Sequence, residues 1–105
     1  MNNITTMSQP NRGGEMTERY INLAKHAIGL DRKKPYHRHG KAFFKPYRNY
    51  FAANKYGDDW CAWNEMCRMG LAKYEENKTY TYFLLTRAGL DWLGEKLNIK
   101  IYDEE

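Results

Sequence analysis

The second half of the chain constrains the fold most, because three different backbone patterns follow one another there with clear breaks between them. Asp58–Met69 carries apolar residues at helical spacing, and Gly70 is a typical residue to end a helix. Thr79–Leu85 consists of β-branched, aromatic and aliphatic residues, which favour a strand. Thr86 can cap the helical pattern of Arg87–Leu97. This half therefore predicts a helix, a β-hairpin and a closing helix.

This order resembles the C-terminal half of a winged helix-turn-helix domain, from Asp58 to Leu97. In that family a helix runs into a Gly-Leu-apolar segment, a β-wing and a closing Tyr-x-Leu-Thr-x-x-Gly segment. Here residues 70–72 read Gly-Leu-Ala, and residues 82–89 read Tyr-Phe-Leu-Leu-Thr-Arg-Ala-Gly, with one extra residue before the Thr. The resemblance implies an α+β fold, a small single winged-helix-like domain of three to four helices with a β-hairpin wing.

The elements outside this segment are predicted from shorter patterns. Thr17–Ile28 has apolar residues at helical spacing, and Gly29 is a natural stop. Gly40–Phe44 is expected as a short strand, and Tyr47–Ala53 as a short helix with aromatic residues on one face. Ile99–Tyr102 alternates apolar and polar residues, so it can add a final strand.

Residues 1–15 are rich in Asn, Thr, Ser, Pro and Gly, which predicts a disordered leader. Residues 12–14 read Arg-Gly-Gly just before Met16, and purine-rich codons for them would form a bacterial ribosome-binding site. Either the leader is translated upstream sequence and the natural start is Met16, or it is an ordinary flexible N-terminus. We expect the folded domain at residues 16–102 and an acidic tail at residues 103–105.

The most unusual composition lies between Asp31 and Asp58, where no acidic residue occurs. The chain carries a formal net charge of +4. Lys and Arg side chains neutralise phosphates and release counterions, so this stretch indicates an anionic partner. We expect the nucleic-acid contacts to come from its basic side chains, which are Arg32, Lys33, Lys34, Arg38, Lys41, Lys45 and Arg48.

Aromatic residues are interleaved with these cations, namely Tyr36, Phe43, Phe44, Tyr47, Tyr50, Phe51 and Tyr56. Such rings can stack on unpaired bases, or they can fill the core. Because a small domain needs large apolar side chains to form a core, we expect these rings to be buried.

Two features depart from a duplex-reading winged helix. The helix at residues 58–69 begins with Asp58 and Asp59, which would repel phosphates. The hairpin is expected to pair Leu71–Tyr74 with the strand that ends at Leu85, around a turn of residues 75–78 that holds Glu75 and Glu76. Only Lys78 opposes these two acids in the turn, whereas a DNA-binding relative usually carries a basic wing tip. Both features favour the alternative of a protein-binding module whose basic patch meets an acidic protein surface.

Enzymatic motifs are missing from the chain, since it has no phosphate-binding loop, dinucleotide fingerprint or metalloprotease motif. We expect no enzyme, no catalytic residue and no cofactor. His37 and His39 could share one face of a strand, but the spacing of His and Cys fits no familiar zinc site, so no metal is expected. Cys61 and Cys67 lie six apart on a predicted helix, which disfavours a disulfide.

A reduced, intracellular protein fits this cysteine pattern. Because no membrane span and no secretory signal is visible, we expect a cytoplasmic location in a bacterial host cell. In size and style the chain also resembles small accessory proteins of phages and prophages. The expected function is a nucleic-acid-binding phage or bacterial regulator or accessory protein that acts through residues 32–55. The alternative is a protein-binding module, such as a phage-encoded inhibitor or modulator of a host protein.

Overall fold

The computed structural model describes residues 10–102 of the 105-residue chain. Within this range the helices are α1 (Pro10–Ile28), α2 (Asp58–Arg68) and α3 (Arg87–Leu97). The strands are β1 (Tyr36–Arg38), β2 (Lys41–Phe44), β3 (Phe51–Asn54), β4 (Ala72–Glu76), β5 (Tyr80–Leu85) and β6 (Lys100–Ile101). The predicted fold class is confirmed at the level of a small single α+β domain.

Two small sheets divide the strands between them. The first sheet has the order β1-β2-β6, in which β1 is antiparallel and β6 is parallel to β2. The second sheet has the order β3-β5-β4 and is antiparallel throughout. The parallel pair joins the last strand of the described chain to one that lies more than fifty residues earlier, so the first sheet closes only when the whole domain folds.

The core contains residues from all three helices and both sheets. Trp63 on α2 has no exposed surface, and its ring stacks on that of Phe83 at a centroid distance of 5.5 Å. The ring of Phe51 on β3 lies 5.7 Å from Trp63. Burying two large rings contributes several kcal/mol, at about 1.5–3 kcal/mol for a large side chain, so this cluster is central to the stability of the domain.

Helix α1 begins at Pro10 rather than at the expected Thr17, and it ends at Ile28 as predicted. Its buried face consists of apolar residues at helical spacing, namely Leu23, Ala24, Ala27 and Ile28. Gly29 follows with a φ of 88°, a left-handed conformation that suits glycine and ends the helix. Residues 1–9 of the predicted leader and residues 103–105 of the predicted tail lie outside the described residues.

Helix α2 matches its predicted range closely, but its N-terminal cap differs. Gly57 is the capping residue and offers no side-chain hydrogen bond, whereas Asp58 and Asp59 lie in the first turn. There the carboxylates interact favourably with the positive end of the helix. Asp59 also forms an ion pair with Arg19 of α1 at 2.9 Å. Met69, which was expected on the apolar face, is half exposed just past the end of the helix.

The prediction of a helix at Tyr47–Ala53 is wrong, because residues 51–54 form strand β3. The side-chain amide of Asn49 donates to the carbonyl oxygen of Leu85 at 3.0 Å and accepts from its N–H at 2.9 Å. Asn49 thus extends the ladder between β3 and β5 by one pair of hydrogen bonds. Tertiary pairing overrides the weak local preference of this aromatic-rich segment.

In the hairpin of β4 and β5, the first strand extends two residues beyond its predicted end at Tyr74. β4 reaches Glu76, so Glu75 and Glu76 lie in the strand rather than in the turn. The turn is set by Asn77, whose side-chain oxygen accepts hydrogen bonds from the N–H groups of Thr79 and Tyr80, both at 2.8 Å. Asn is well suited to this arrangement, because its short side chain can bond the backbone two residues further on.

The junction between α2, β4 and α3 was predicted correctly. Gly70 has a φ of 79° directly after α2. Thr86 caps α3, since its hydroxyl accepts from the N–H of Gly89 at 3.0 Å and donates to the carbonyl oxygen of Gly70 at 2.7 Å. Asn98 ends α3 in the left-handed conformation. These contacts tie the end of α2 to the start of α3.

Candidate nucleic-acid interface

The hairpin of β1 and β2 is closed by a two-residue turn at His39 and Gly40. Arg38 lies opposite Lys41, and the two turn residues have φ angles of 52° and 77°. Positive φ at both central positions is typical of the hairpin turn that matches the right-handed twist of the strands. Strand β1 was not predicted. Its pairing with β2 places Arg38 next to Lys41, so basic residues from before and after the turn lie side by side.

The register places aromatic and basic side chains on one face of the first sheet. Tyr36 lies opposite Phe43, which in turn lies beside Lys100 of β6. Because side chains alternate between the faces of a strand, Arg38 and Lys41 share this face. We call this surface the ring face, and it consists of Tyr36, Arg38, Lys41, Phe43, Lys100 and Tyr102.

Three aromatic rings form a row across the ring face. The ring centroids of Tyr36 and Phe43 are 5.6 Å apart with planes inclined by 23°. Those of Phe43 and Tyr102 are 6.2 Å apart with planes inclined by 14°. The two end residues remain accessible, since Tyr36 keeps 50% and Tyr102 keeps 37% of its surface exposed. The row is therefore open to a flat ligand at both ends.

Cations surround this row of rings. Arg38 and Lys41 are exposed at the turn end of the hairpin. The Nζ atom of Lys100 lies 5.9 Å from the ring centroid of Tyr102. Lys45, also exposed, directly follows β2. In the described chain no carboxylate occurs on β1, β2 or β6, so the charged side chains of these strands are all basic.

The opposite face of the same sheet is anchored in the core. Phe44 of β2 and Ile101 of β6 are each only 3% exposed. The N–H of Tyr102 donates to the carbonyl oxygen of Phe44 at 3.0 Å, which extends the pairing of β2 and β6. The inner strands of the ring face therefore rest on packed side chains, and their rings are held at fixed spacing.

Arg48, one of the predicted contact residues, is bonded to the end of α1. Its guanidinium donates to the carbonyl oxygen of His26 at 2.7 Å, near the C-terminal end of α1. It also lies 3.6 Å from a carboxylate oxygen of Asp31. A cation at this end of a helix satisfies carbonyl groups that have no partner within the helix. Arg48 thus holds the loop before β3 against α1.

Asp31 lies between His26 and Arg48 in this cluster. Its carboxylate is 2.6 Å from Nδ1 of His26, and Arg48 approaches from the other side. Burial acts to raise the pKa of Asp31, but the hydrogen bond and charge of His26, together with Arg48, outweigh that effect and hold the pKa below its usual range. The acid at the border of the basic stretch therefore neutralises Arg48 and not the ring face.

Lys33 belongs to the turn after α1 and contacts the ring of Tyr47. Its Nζ atom lies 4.8 Å from the ring centroid, and Arg48 lies 5.5 Å from the same centroid. The ring of Tyr47 packs directly on Gly29, where an added Cβ atom would come within 2.3 Å of it. This close approach requires a glycine at position 29. The two cations next to the ring of Tyr47 stabilise the position of that ring.

The predicted contact residues therefore separate into three groups. Arg38 and Lys41 lie on the ring face, with Lys45 next to it; Arg32, Lys33 and Lys34 are exposed in the turn that leads into β1. Arg48 belongs to the end of α1. Four further residues of the ring face were not among the predicted contact residues, namely Tyr36, Phe43, Lys100 and Tyr102.

The expectation that the rings of the basic stretch are buried is confirmed for Phe44. It is wrong for four residues that are exposed, namely Tyr36, Tyr47, Tyr50 and Tyr56. Phe43 and Phe51 are partly buried. A domain whose core is filled by Trp63 and Phe83 leaves room for other rings at the surface. Core packing therefore does not explain why these aromatic side chains lie at the surface.

Neither the histidines nor the cysteines come together in a metal site. Within residues 10–102 no group of three or more His, Cys, Asp and Glu side chains is placed to hold a metal ion. His37 lies on β1 and His39 in the following turn, both exposed. Cys61 and Cys67 are free thiols, as predicted, and burial raises the pKa of Cys67.

Two further findings concern membrane spans and the comparison with known proteins. In the described part of the chain no helix has both the length and the apolar character needed to cross a membrane. Comparison of the chain with protein-family models, with curated proteins and with solved structures finds no match. Any statement about function therefore rests on the residues of this chain.

Proposed function

We propose that this protein binds nucleic acid through the ring face. The observation that carries the proposal is the row of three aromatic rings on a sheet surface whose neighbouring side chains are cations. Phosphates attract Lys and Arg, and aromatic rings accept bases by stacking. The two properties occur here within one small surface, as binding to a nucleotide chain requires.

The proposed contacts follow from the grouping of the basic residues. Arg38, Lys41, Lys45 and Lys100 act at the ring face, and the turn at residues 32–34 supplies additional charge for a longer ligand. Arg48 acts indirectly, because it fixes the loop between β2 and β3 through its bond to α1.

We also propose the biological setting that the sequence indicates, a small regulator or accessory protein of a phage or bacterium in the cytoplasm of the host cell, without enzymatic activity. A winged-helix-like arrangement is supported by the passage from α2 through Gly70 into the hairpin β4–β5 and then α3. In the described chain no two helices are joined by a short turn, so the proposed likeness is limited to the wing half.

A second candidate function is a protein-binding module that modulates or inhibits a host protein and makes no nucleic-acid contact. It is favoured by the charges outside the ring face, since Asp58 and Asp59 begin α2 and Glu75 lies exposed on β4. A surface with separate basic and acidic regions suits an oppositely patterned protein.

The test is a fluorescence-anisotropy titration with labelled DNA and RNA, both single-stranded and duplex, at low and near-physiological salt. The double variant Arg38→Glu/Lys41→Glu should lower the affinity about tenfold or more, because it reverses two phosphate-binding charges on the ring face. The control variant Lys73→Glu/Lys96→Glu makes the same change of net charge on β4 and α3, where both side chains are exposed. It should have a much smaller effect.

Equal losses in the two variants would mean that net charge alone governs binding, which contradicts the ring face as the interface. A lack of binding to every probe, even at low salt, would overturn the nucleic-acid proposal. Purification of partners from host lysate with the wild-type chain would then test the protein-binding module.

A further inference from the structure

We propose that the ligand of the ring face is an unpaired strand whose bases stack on the row formed by Tyr36, Phe43 and Tyr102. This inference rests on the proposed function and narrows it to single-stranded nucleic acid. The shared chemistry is an exposed base attached to a phosphate backbone, which both single-stranded RNA and single-stranded DNA provide.

The accessibility of the rings gives the first argument. A duplex hides the faces of its bases in its own stack and presents only base edges and phosphates in the grooves. A duplex therefore gains little from contact with the rings at the two ends of the row, which belong to Tyr36 and Tyr102. An unpaired base can continue the row at either end, because these residues keep 50% and 37% of their surface exposed.

The spacing of the row supports the same ligand. Successive ring centroids are separated by 5.6 and 6.2 Å across three neighbouring chain segments. Sheet surfaces with rings at such neighbouring positions accommodate about two or three bases of a single strand. The flanking cations Arg38, Lys41 and Lys100 then lie where the phosphates of the same strand would pass.

Charges elsewhere disfavour the usual ways to read a duplex. The first turn of α2 is acidic, with Asp59 only partly offset by its ion pair with Arg19. In the hairpin β4–β5, the exposed Glu75 and Glu76 lie next to a turn whose basic residue is Lys78. Glu76 also lies 3.8 Å from Lys55. A helix for the major groove and a wing for the backbone both need positive charge at these places. In the described chain β1, β2 and β6 carry cations and no carboxylates, which favours the ring face as the surface for a polyanion.

The experiment compares three probes of about ten nucleotides, a length that suits a small single-strand site. They are a single strand, its blunt duplex, and the same strand with its central bases removed but its phosphates retained. RNA and DNA versions distinguish the two sources. We expect the single strand to bind about tenfold or more tightly than both other probes at near-physiological salt.

Ring variants provide the matched comparison. Tyr36→Ala and Tyr102→Ala should each weaken binding of the intact strand about tenfold and leave binding of the strand without central bases unchanged. Tyr36→Phe, which keeps the ring, should restore the wild-type affinity. Tyr74→Ala is the control, because Tyr74 is 54% exposed but lies on the second sheet. Since Tyr36 and Tyr102 are at the surface, their variants should fold normally, which circular dichroism would verify.

The outcomes separate the two proposals. Equal binding of all three probes, with no effect of Tyr36→Ala or Tyr102→Ala, would overturn the single-strand inference and leave charge-driven nucleic-acid binding intact. Tighter binding to the duplex would also overturn it. If no probe binds at low salt, the proposed function itself fails. Binding of RNA or of DNA alone would identify the source within the proposed class.

Discussion

Among the described glycines, Gly89 has the least space for a side chain. It lies in the first turn of α3, and an added Cβ atom would come within 1.9 Å of the carbonyl oxygen of Leu71. Leu71 is held in place, because its carbonyl oxygen accepts a hydrogen bond from the N–H of Thr86 at 3.0 Å. Since the obstacle is backbone, the clash cannot be relieved by a change of side-chain rotamer.

We therefore predict that Gly89→Ala lowers the free energy of unfolding by about 3 kcal/mol, at the upper end of the range for overpacking. In an ordinary helix position the same change would stabilise by up to about 1 kcal/mol. Urea unfolding followed by circular dichroism measures the difference.

The neighbouring exposed residue Ala88 is the control. Ala88→Gly should cost only about 0.5–1 kcal/mol, the ordinary difference in helix propensity. If Gly89→Ala were neutral or stabilising, the close approach of α3 to Leu71 would be wrong.

The end of α1 depends on a charge cluster that titrates. Asp31 contacts His26 and Arg48. Burial acts to raise its pKa, but the hydrogen bond to His26 and the electrostatic attraction of His26 and Arg48 outweigh burial and lower the pKa from the ordinary value of 3.8. When the pKa is lower in the folded state, the unfolded state takes up the proton first as the pH falls. The contribution of Asp31 to stability is thus complete above pH 3.8 and is lost as the pH falls through the lower folded-state pKa.

From this linkage we predict that Asp31→Asn is less stable than the wild type at neutral pH, and that the difference shrinks as the pH is lowered below about 4. Thermal unfolding at a series of pH values measures it. Asp91→Asn is the control, because its carboxylate is 68% exposed beside Arg87 on α3 and exposed pairs contribute little. A gap between wild type and Asp31→Asn that stays constant with pH would contradict the cluster.

At the level of whole elements, the sequence predicted those that have strong local signals. The helix from Asp58, the cap at Thr86 and the stops at Gly29 and Gly70 all follow from residue types with clear local preferences. The segment at residues 47–53 was misjudged, because its rings suit either helix or strand. Its conformation is decided by pairing with β5 and by Asn49, which only the folded chain brings together.

Only part of the ring face could have been predicted from the sequence. The alternation of Tyr36 with Arg38, and of Lys41 with Phe43, on either side of Gly40 is a hairpin signal that could have identified half of this surface. Lys100 and Tyr102 could not have been assigned, since their position follows from the parallel pairing of β6 with β2. That pairing has no local signature, and it depends on the packing of Ile101 and Phe44 in the core.

At the scale of the whole molecule, the rings with their cations and the acidic residues belong to different elements. The first sheet carries cations around a row of rings, whereas α2 begins with acidic residues and β4 ends with them. Such a separation orients an approaching polyanion toward one surface. We propose that this surface stacks unpaired bases.

The most direct test of that claim is a nuclear magnetic resonance titration of the aromatic ring signals with a short single strand. We predict that the ring signals of Tyr36 and Tyr102 shift first and saturate together, because stacked bases shield the protons of the ring beneath them. The rings of Tyr74 and Tyr80 on the second sheet should stay unchanged. Shifts confined to the second sheet or to α2, or no shifts at saturating strand, would contradict the ring face as a binding surface.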